Sequence, residues 1–268
     1  MSEKNLIYKS NALVQAAYSL SLSEQKLLLS AITQVRRDSE ITDNVLYEVA
    51  ANTLSDMDGF SASNEYKMLR EAAKRLYDRS ITVTERPNGE SGSLKTEEKQ
   101  FRWVQEIHYF KDQGIVRIRF SKPILPYLTE LTGAFTKYKL QHIASMRSSY
   151  GIRLYELLVQ WRTSGEREIE IDWLRRQWEL TKKYSSIRDL KKRVIDPAIA
   201  DVNEHSDLWV KWGQRKTGRR VTHLQFRFGL KEDKKTVKRP TKAQIEKAAR
   251  PGETYEQVND RLSRSSGG

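Results

Sequence analysis

Residues Tyr184–Asn203 read YSSIRDLKKRVIDPAIADVN. At helical period, Ile187, Leu190, Val194, Ala198 and Val202 fall in one apolar stripe. Ser185, Arg188, Asp189, Lys192 and Arg193 fall mostly on the other side. A serine oxygen accepts from the orphan N–H groups of a first helical turn, so Ser185 or Ser186 is the expected cap. The stretch reads as a helix with an apolar back and a cationic front near its N-terminus. Lys191 projects near the apolar arc, so its stem is expected to pack along the helix while its head reaches water. Pro197 falls inside the segment, where proline removes a backbone hydrogen bond and kinks the axis. The cationic half is therefore expected to be about three turns long.

The chain then changes to period two. Leu208, Val210 and Trp212 alternate on one strand, and Thr222, Leu224, Phe226 and Phe228 on the next. Between them Gly213–Arg220 carries Arg215, Lys216, Arg219 and Arg220, which reads as a hairpin with a sizeable loop. Helix, strand, cationic turn, strand is the layout of a winged helix, whose recognition helix enters a DNA major groove. Lys192 and Arg193 are placed to donate to guanine O6 and N7. Cations on a hairpin tip suit phosphate contacts, which position a protein without reading sequence. The plain alternative for each cluster is a solvated charged face.

Upstream, a helix is expected from Ser149 to Trp161, with Ile152, Tyr155, Leu158 and Val159 inward. Glu168–Ile171 reads as a short strand, and Asp172 as the cap of the helix WLRRQWEL. The first half has the same order of elements. Residues 1–9 are polar and expected to be loose. Ser21 or Ser23 caps a helix with Glu24 in its first turn and an apolar face of Leu27, Leu28, Ala31, Ile32 and Val35. Val45–Val49 is a strand candidate, and Ala50–Met57 a short helix that Asp58-Gly59 breaks. A helix from Ser63 to Asp78, capped by Ser63, turns Tyr66, Leu69, Ala73 and Leu76 one way and Asn64, Lys67, Glu71 and Lys74 the other. Asn64, Lys67 and Lys74 are the candidate residues for a second DNA contact. Ile81–Thr84, Phe101–Tyr109 and Ile115–Phe120 are strand candidates.

The expected fold is α+β, two tandem winged-helix domains in pseudo-symmetric arrangement. The first spans 1–132 and the second 133–230; residues 231–268 form a highly charged tail, expected to be mobile. No letter-level repeat relates the two halves.

The chain has 268 residues, 38% of them hydrophobic, a formal net charge of +13 and a pI of about 9.7. A chain this basic points to a polyanionic partner, nucleic acid first. Without cysteine, disulfides, thiolate nucleophiles and cysteine-type zinc sites are excluded. The N-terminus MSEKNLIYKSN lacks an apolar core of the secretory kind, and no apolar run reaches the roughly 18 residues that span a bilayer. The expectation is a cytoplasmic protein without membrane contact.

Catalytic arrangements are missing. His108, His142, His205 and His223 are scattered, with no pair at metal-binding spacing. There is no P-loop signature. Glu97-Glu98 sits in a polar loop. No catalytic residue, metal or cofactor is expected. A DNA-nicking rolling-circle enzyme would need a clustered metal site and a nucleophilic tyrosine.

Six segments carry a family resemblance: NALVQAAYSLSLSEQKLLLSAI (11–32), ILPYLTELTGAFTKYKL (124–140), YGIRLYELL (150–158), IEIDWLRRQWEL (169–180), IRDLKKRVIDPAIADVN (187–203) and KTGRRVTHLQFRF (216–228). Over residues 10–230 the chain resembles the iteron-binding replication initiators of bacterial plasmids. The resemblance implies two winged-helix domains, the second supplying the dominant base readout and the first the dimer interface. It implies monomers that bind direct repeats at a replication origin and help open the duplex. It also implies dimers that bind an inverted operator repeat and repress their own promoter. Host initiator, replicative helicase and chaperones are the implied partners. The family's outward cations fall on Lys192 and Arg193, and Ser186 stands where related chains carry an additional arginine, so the bases read should differ. A tandem winged-helix transcriptional repressor without an initiator role is the alternative.

Overall fold

The computed structural model describes residues 5–36, 42–52, 64–88 and 98–231. Most of the expected helix at Ala50–Met57, the Ser63 cap and nearly all of the tail fall outside them.

Strand β1 (Leu6–Ser10) leads into a short helix α1 (Asn11–Gln15). For residues 6–9 this corrects the expectation of a loose start; residues 1–4 lie outside the described residues. Ile7 and Lys9 point inward, and β1 pairs antiparallel with β7 (Phe135–Lys139), Leu6 opposite Lys139 and Ser10 opposite Phe135. This pair crosses the division expected at residue 132. Helix α2 (Leu22–Ile32) starts at a capping box. Ser21 Oγ accepts from the Glu24 N–H at 3.4 Å, and Glu24 Oε2 accepts from the Ser21 N–H at 2.7 Å, so two orphan donors are satisfied together.

Strand β2 (Tyr47–Ala50) is followed by helix α3 (Glu65–Tyr77), which buries Leu69, Ala72, Ala73 and Leu76. Asn64 stands at its start without a side-chain capping bond. Arg75 Nε and Arg79 Nε donate to the buried Glu24 carboxylate at 3.0 and 3.2 Å, tying the end of α3 to the start of α2. Strands β3 (Ser80–Val83) and β4 (Lys99–Arg102) pair, and β5 (Val104–Phe110) and β6 (Ile115–Phe120) join β2 in the order β2-β6-β5. The strand expected over Phe101–Tyr109 is thus two strands, separated at the fully buried Trp103, whose ring meets Tyr18 edge-on at 5.0 Å.

After β7 come α4 (Gln141–Ala144) and α5 (Ser149–Val159), the latter buried along most of its length. Strand β8 (Glu166–Glu170), helix α6 (Ile171–Gln177), a helical run from Ile187 to His205, and the hairpin β9 (Leu208–Thr217)–β10 (Arg220–Leu230) complete the second winged helix. Its sheet has the order β8-β10-β9. Asp172 lies in the first turn of α6, not at its cap; Glu170 occupies that position.

The two halves meet at α5. Arg153 donates to the carbonyls of Tyr18 at 2.8 Å, Ala16 at 2.9 Å and Gln177 at 3.4 Å, and its guanidinium lies 3.6 Å from the Tyr18 ring centroid. A buried cation is tolerated here because three carbonyl dipoles and an aromatic face replace its water. Among the described residues, no helix is long and apolar enough to cross a membrane.

Candidate nucleic-acid interface

The helical run opens at Ser186, whose Oγ accepts from the N–H groups of Arg188 at 3.1 Å and Asp189 at 3.4 Å. It continues as α7 (Ile187–Leu190), a π-helical turn (Lys191–Ile195) and α8 (Asp196–His205). The sequence spacing explains the π turn. Leu190, Val194, Ala198 and Val202 are all fully buried and recur every four residues. From Leu190 to Val202 that makes three turns of four residues, whereas a regular α-helix takes about 3.6 per turn. About one residue too many must be absorbed to keep the stripe on the core. The N–H of Asp196 donates five residues back, to the Lys191 carbonyl, and absorbs it. Pro197 follows directly after the π turn, and the chain is helical on both sides of it.

The helix presents Arg188, Lys192 and Arg193 to solvent, with Ser185 and Ser186 exposed at its start. None of the three cations has a carboxylate partner among the described residues. Lys191 is half-buried and its Nζ donates to Gln214 Oε1 at 3.1 Å, linking the helix to β9. Ahead of the helix, Arg175 Nη1 and Nη2 donate to the carbonyls of Lys183 and Ser185, each at 3.2 Å, and Tyr184 takes a left-handed φ of 52°. Lys182 and Lys183 are exposed in this turn. The sequence reading passed over them; two adjacent lysines immediately before a cationic helix were the available signal.

The hairpin tip is tighter than expected. Thr217 pairs with Arg220, leaving a two-residue turn of Gly218 and Arg219, with a register shift between Val221 and His223. Gly218 has φ +61°, the sign a type II′ hairpin places at its first central residue and one that glycine adopts without strain. The four tip cations divide into two pairs. Arg215 donates from Nε and Nη2 to Glu168 at 2.9 and 2.7 Å, and Arg220 Nη2 donates to both oxygens of Asp172 at 2.9–3.0 Å. Lys216 and Arg219 are exposed and have no carboxylate partner among the described residues. Arg215 and Arg220, expected as free phosphate donors, are thus already held by acids.

In the first half, Asn64, Lys67 and Lys74 lie on the exposed side of α3, away from its buried row. Arg70 is exposed beside them and sits 5.7 Å from the Tyr109 ring centroid. Among the described residues no group of three or more His, Cys, Asp or Glu is placed to hold a metal ion.

Two winged helices, each with an exposed cationic helix, define a class of tandem winged-helix proteins. Residues 6–159 match the family described as "Initiator Replication protein, WH1", and residues 170–228 match "Initiator Rep protein, WH2". The chain belongs to this family of initiator replication proteins. It is 26% identical over 232 residues to a "Replication initiation protein" of Escherichia coli, covering 84% of this chain and 70% of that one. It is 23% identical over 260 residues to the "PI protein" of Escherichia coli, covering 87% and 85%. The crystal structure of the Pi initiator protein in complex with iteron DNA has the same fold, with a TM-score of 0.70 over 87% of this chain and 100% of that chain, at 20% identity.

Proposed function

We propose that this protein is a non-enzymatic, sequence-specific binder of duplex DNA that initiates plasmid replication. The observation that carries the reading is the set of exposed cations without acid partners among the described residues: Arg188, Lys192 and Arg193 on the capped helix, Lys216 and Arg219 on the wing. In this reading Lys192 and Arg193 reach base edges in the major groove, Ser185, Ser186 and Arg188 contact the same site, and the wing holds phosphates. Asn64, Lys67 and Lys74 on α3 make the secondary contact in a neighbouring groove about one helical turn away. The second winged helix supplies the main readout. The first also supplies the surface through which two copies associate.

The protein then binds direct repeats at its origin as a monomer, and as a dimer binds an inverted repeat at its promoter and represses it. Family membership and the relatives' names support this reading, and host initiator, replicative helicase and chaperones are the partners it implies. It places the protein in the bacterial cytoplasm, on the plasmid.

The decisive experiment is replication in trans. The protein, supplied from a separate plasmid, should sustain an origin plasmid that lacks its own initiator gene. A repressor without initiator role would bind the same DNA yet fail to sustain it. Incubation with supercoiled origin DNA and a divalent metal should yield no nicked or protein-attached product; such a product would establish an enzyme instead.

A further inference from the structure

Two carboxylates stand against the wing. Glu168, on β8, accepts two hydrogen bonds from Arg215 and one from Gln225 Nε2 at 2.9 Å, and His223 Nε2 lies 4.0 Å away. Asp172, in the first turn of α6, holds Arg220 Nη2 between its two oxygens. A carboxylate that accepts two guanidinium N–H groups offers an arginine what a phosphate offers it: negative charge and two oxygens set for a fork of donors. The hydrogen bonds from Arg215, and after them that from Gln225, hold the Glu168 carboxyl down to about 2, so it stays charged at any working pH. Lys216 and Arg219, between the two held arginines in sequence, have no such acid among the described residues.

We propose that Glu168 and Asp172 compete with DNA phosphates for Arg215 and Arg220, and so restrain the affinity of the wing for duplex of any sequence. This rests on the assignment of the hairpin as a DNA-contacting wing. An arginine held by its own chain can offer those same donors to a phosphate only by leaving its carboxylate, and the nearby acid repels the backbone in either case. Because all four groups are solvent-accessible, the restraint is modest and is felt on cognate and random DNA alike.

The test is fluorescence anisotropy over a salt series. One duplex covers the DNA flanking the gene, and the other is a scrambled duplex of equal composition. Glu168→Gln and Asp172→Asn should each tighten binding to both duplexes by roughly two- to fivefold. The gain from Glu168→Gln should shrink at least twofold in an Arg215→Ala background, and that from Asp172→Asn likewise with Arg220→Ala. Thermal melts of each variant confirm folding, and a variant that melts early is replaced by Glu168→Ser or Asp172→Ser. Unchanged or weaker binding would overturn the proposal, because the acids then hold the wing in its binding shape. An equal gain in the alanine background would also overturn it, since only net charge then matters. If the wild type binds neither duplex, the proposed function falls together with this inference; if it binds and the coupling is absent, only the inference falls.

Discussion

Gly151 lies so close beneath Asp201 that a Cβ on it would stand 2.4 Å from Asp201 Oδ2. The same carboxylate accepts the backbone N–H groups of Arg147 at 2.9 Å and Ser148 at 2.9 Å. Ser148 caps α5, its Oγ accepting from the Gly151 N–H at 3.2 Å. Asp201 on α8 holds the two residues that lead into it, an approach that the missing side chain at residue 151 permits. Gly151→Ala should destabilise the protein by about 1–3 kcal/mol through overpacking. Asp201→Ala should cost about 1 kcal/mol by removing the acceptor of these two part-buried N–H groups. The double variant should lose less than the two single losses added, because the clash disappears with the carboxylate. Urea unfolding midpoints of the three variants decide it; strict additivity would show that the contact is relaxed at no cost.

Lys9 and Glu156 form an ion pair at 2.6 Å, both side chains at most 2% exposed, with the Tyr138 hydroxyl donating to the same Glu156 oxygen. Burial, and after it the negative charge of Glu156, push the Tyr138 hydroxyl well above its ordinary pKa, so it remains a donor. Removing one partner leaves a buried charge alone. Lys9→Met should therefore cost about 3–5 kcal/mol, and Lys9→Met with Glu156→Leu should recover much of it. Denaturant titration checks both. A single-variant loss below about 1 kcal/mol would mean that water reaches the site.

On DNA, the helix and the wing should fail in different ways. Lys192→Ala and Arg193→Ala should each lose about 1–3 kcal/mol of discrimination at particular base pairs, read from binding to a panel of single-base variants of the site. Lys216→Ala and Arg219→Ala should weaken binding to every duplex and reduce the salt slope by about one unit each. A helix variant that weakens all sequences equally would place its side chain on phosphate.

Arg175 holds the turn before the recognition helix by its two carbonyl contacts, to Lys183 and Ser185. Arg175→Ala should lower affinity for the cognate site by roughly tenfold, since hydrogen bonds from a charged group are worth about 1.5–3 kcal/mol. The salt slope should stay the same, because the residue positions the helix start and does not contact phosphate. A slope reduced by one unit would instead make it a phosphate ligand.

Much of this protein is legible in its letters because burial on one face leaves a periodic trace. The stripe Leu190, Val194, Ala198, Val202 marks the recognition helix, and the alternation through Leu224, Phe226 and Phe228 marks the wing strand. Ser21 with Glu24 announces its own capping box, since those partners are three residues apart. Even the π turn is written in the four-residue spacing, though an eye set for a 3.6 period reads it as plain helix.

Periodicity and charge thus determined by themselves that the chain makes two cationic winged helices, and which faces turn outward. Tertiary structure alone decided which charges remain available. Lys9 reads as a solvated lysine until Glu156, 147 residues away, is brought to it. Arg215 and Arg220 read as free until Glu168 and Asp172 fold back beside them. The reason is physical: a burial pattern is a property of one segment, whereas an ion pair depends on distance, and distance between remote segments exists only once the chain has folded.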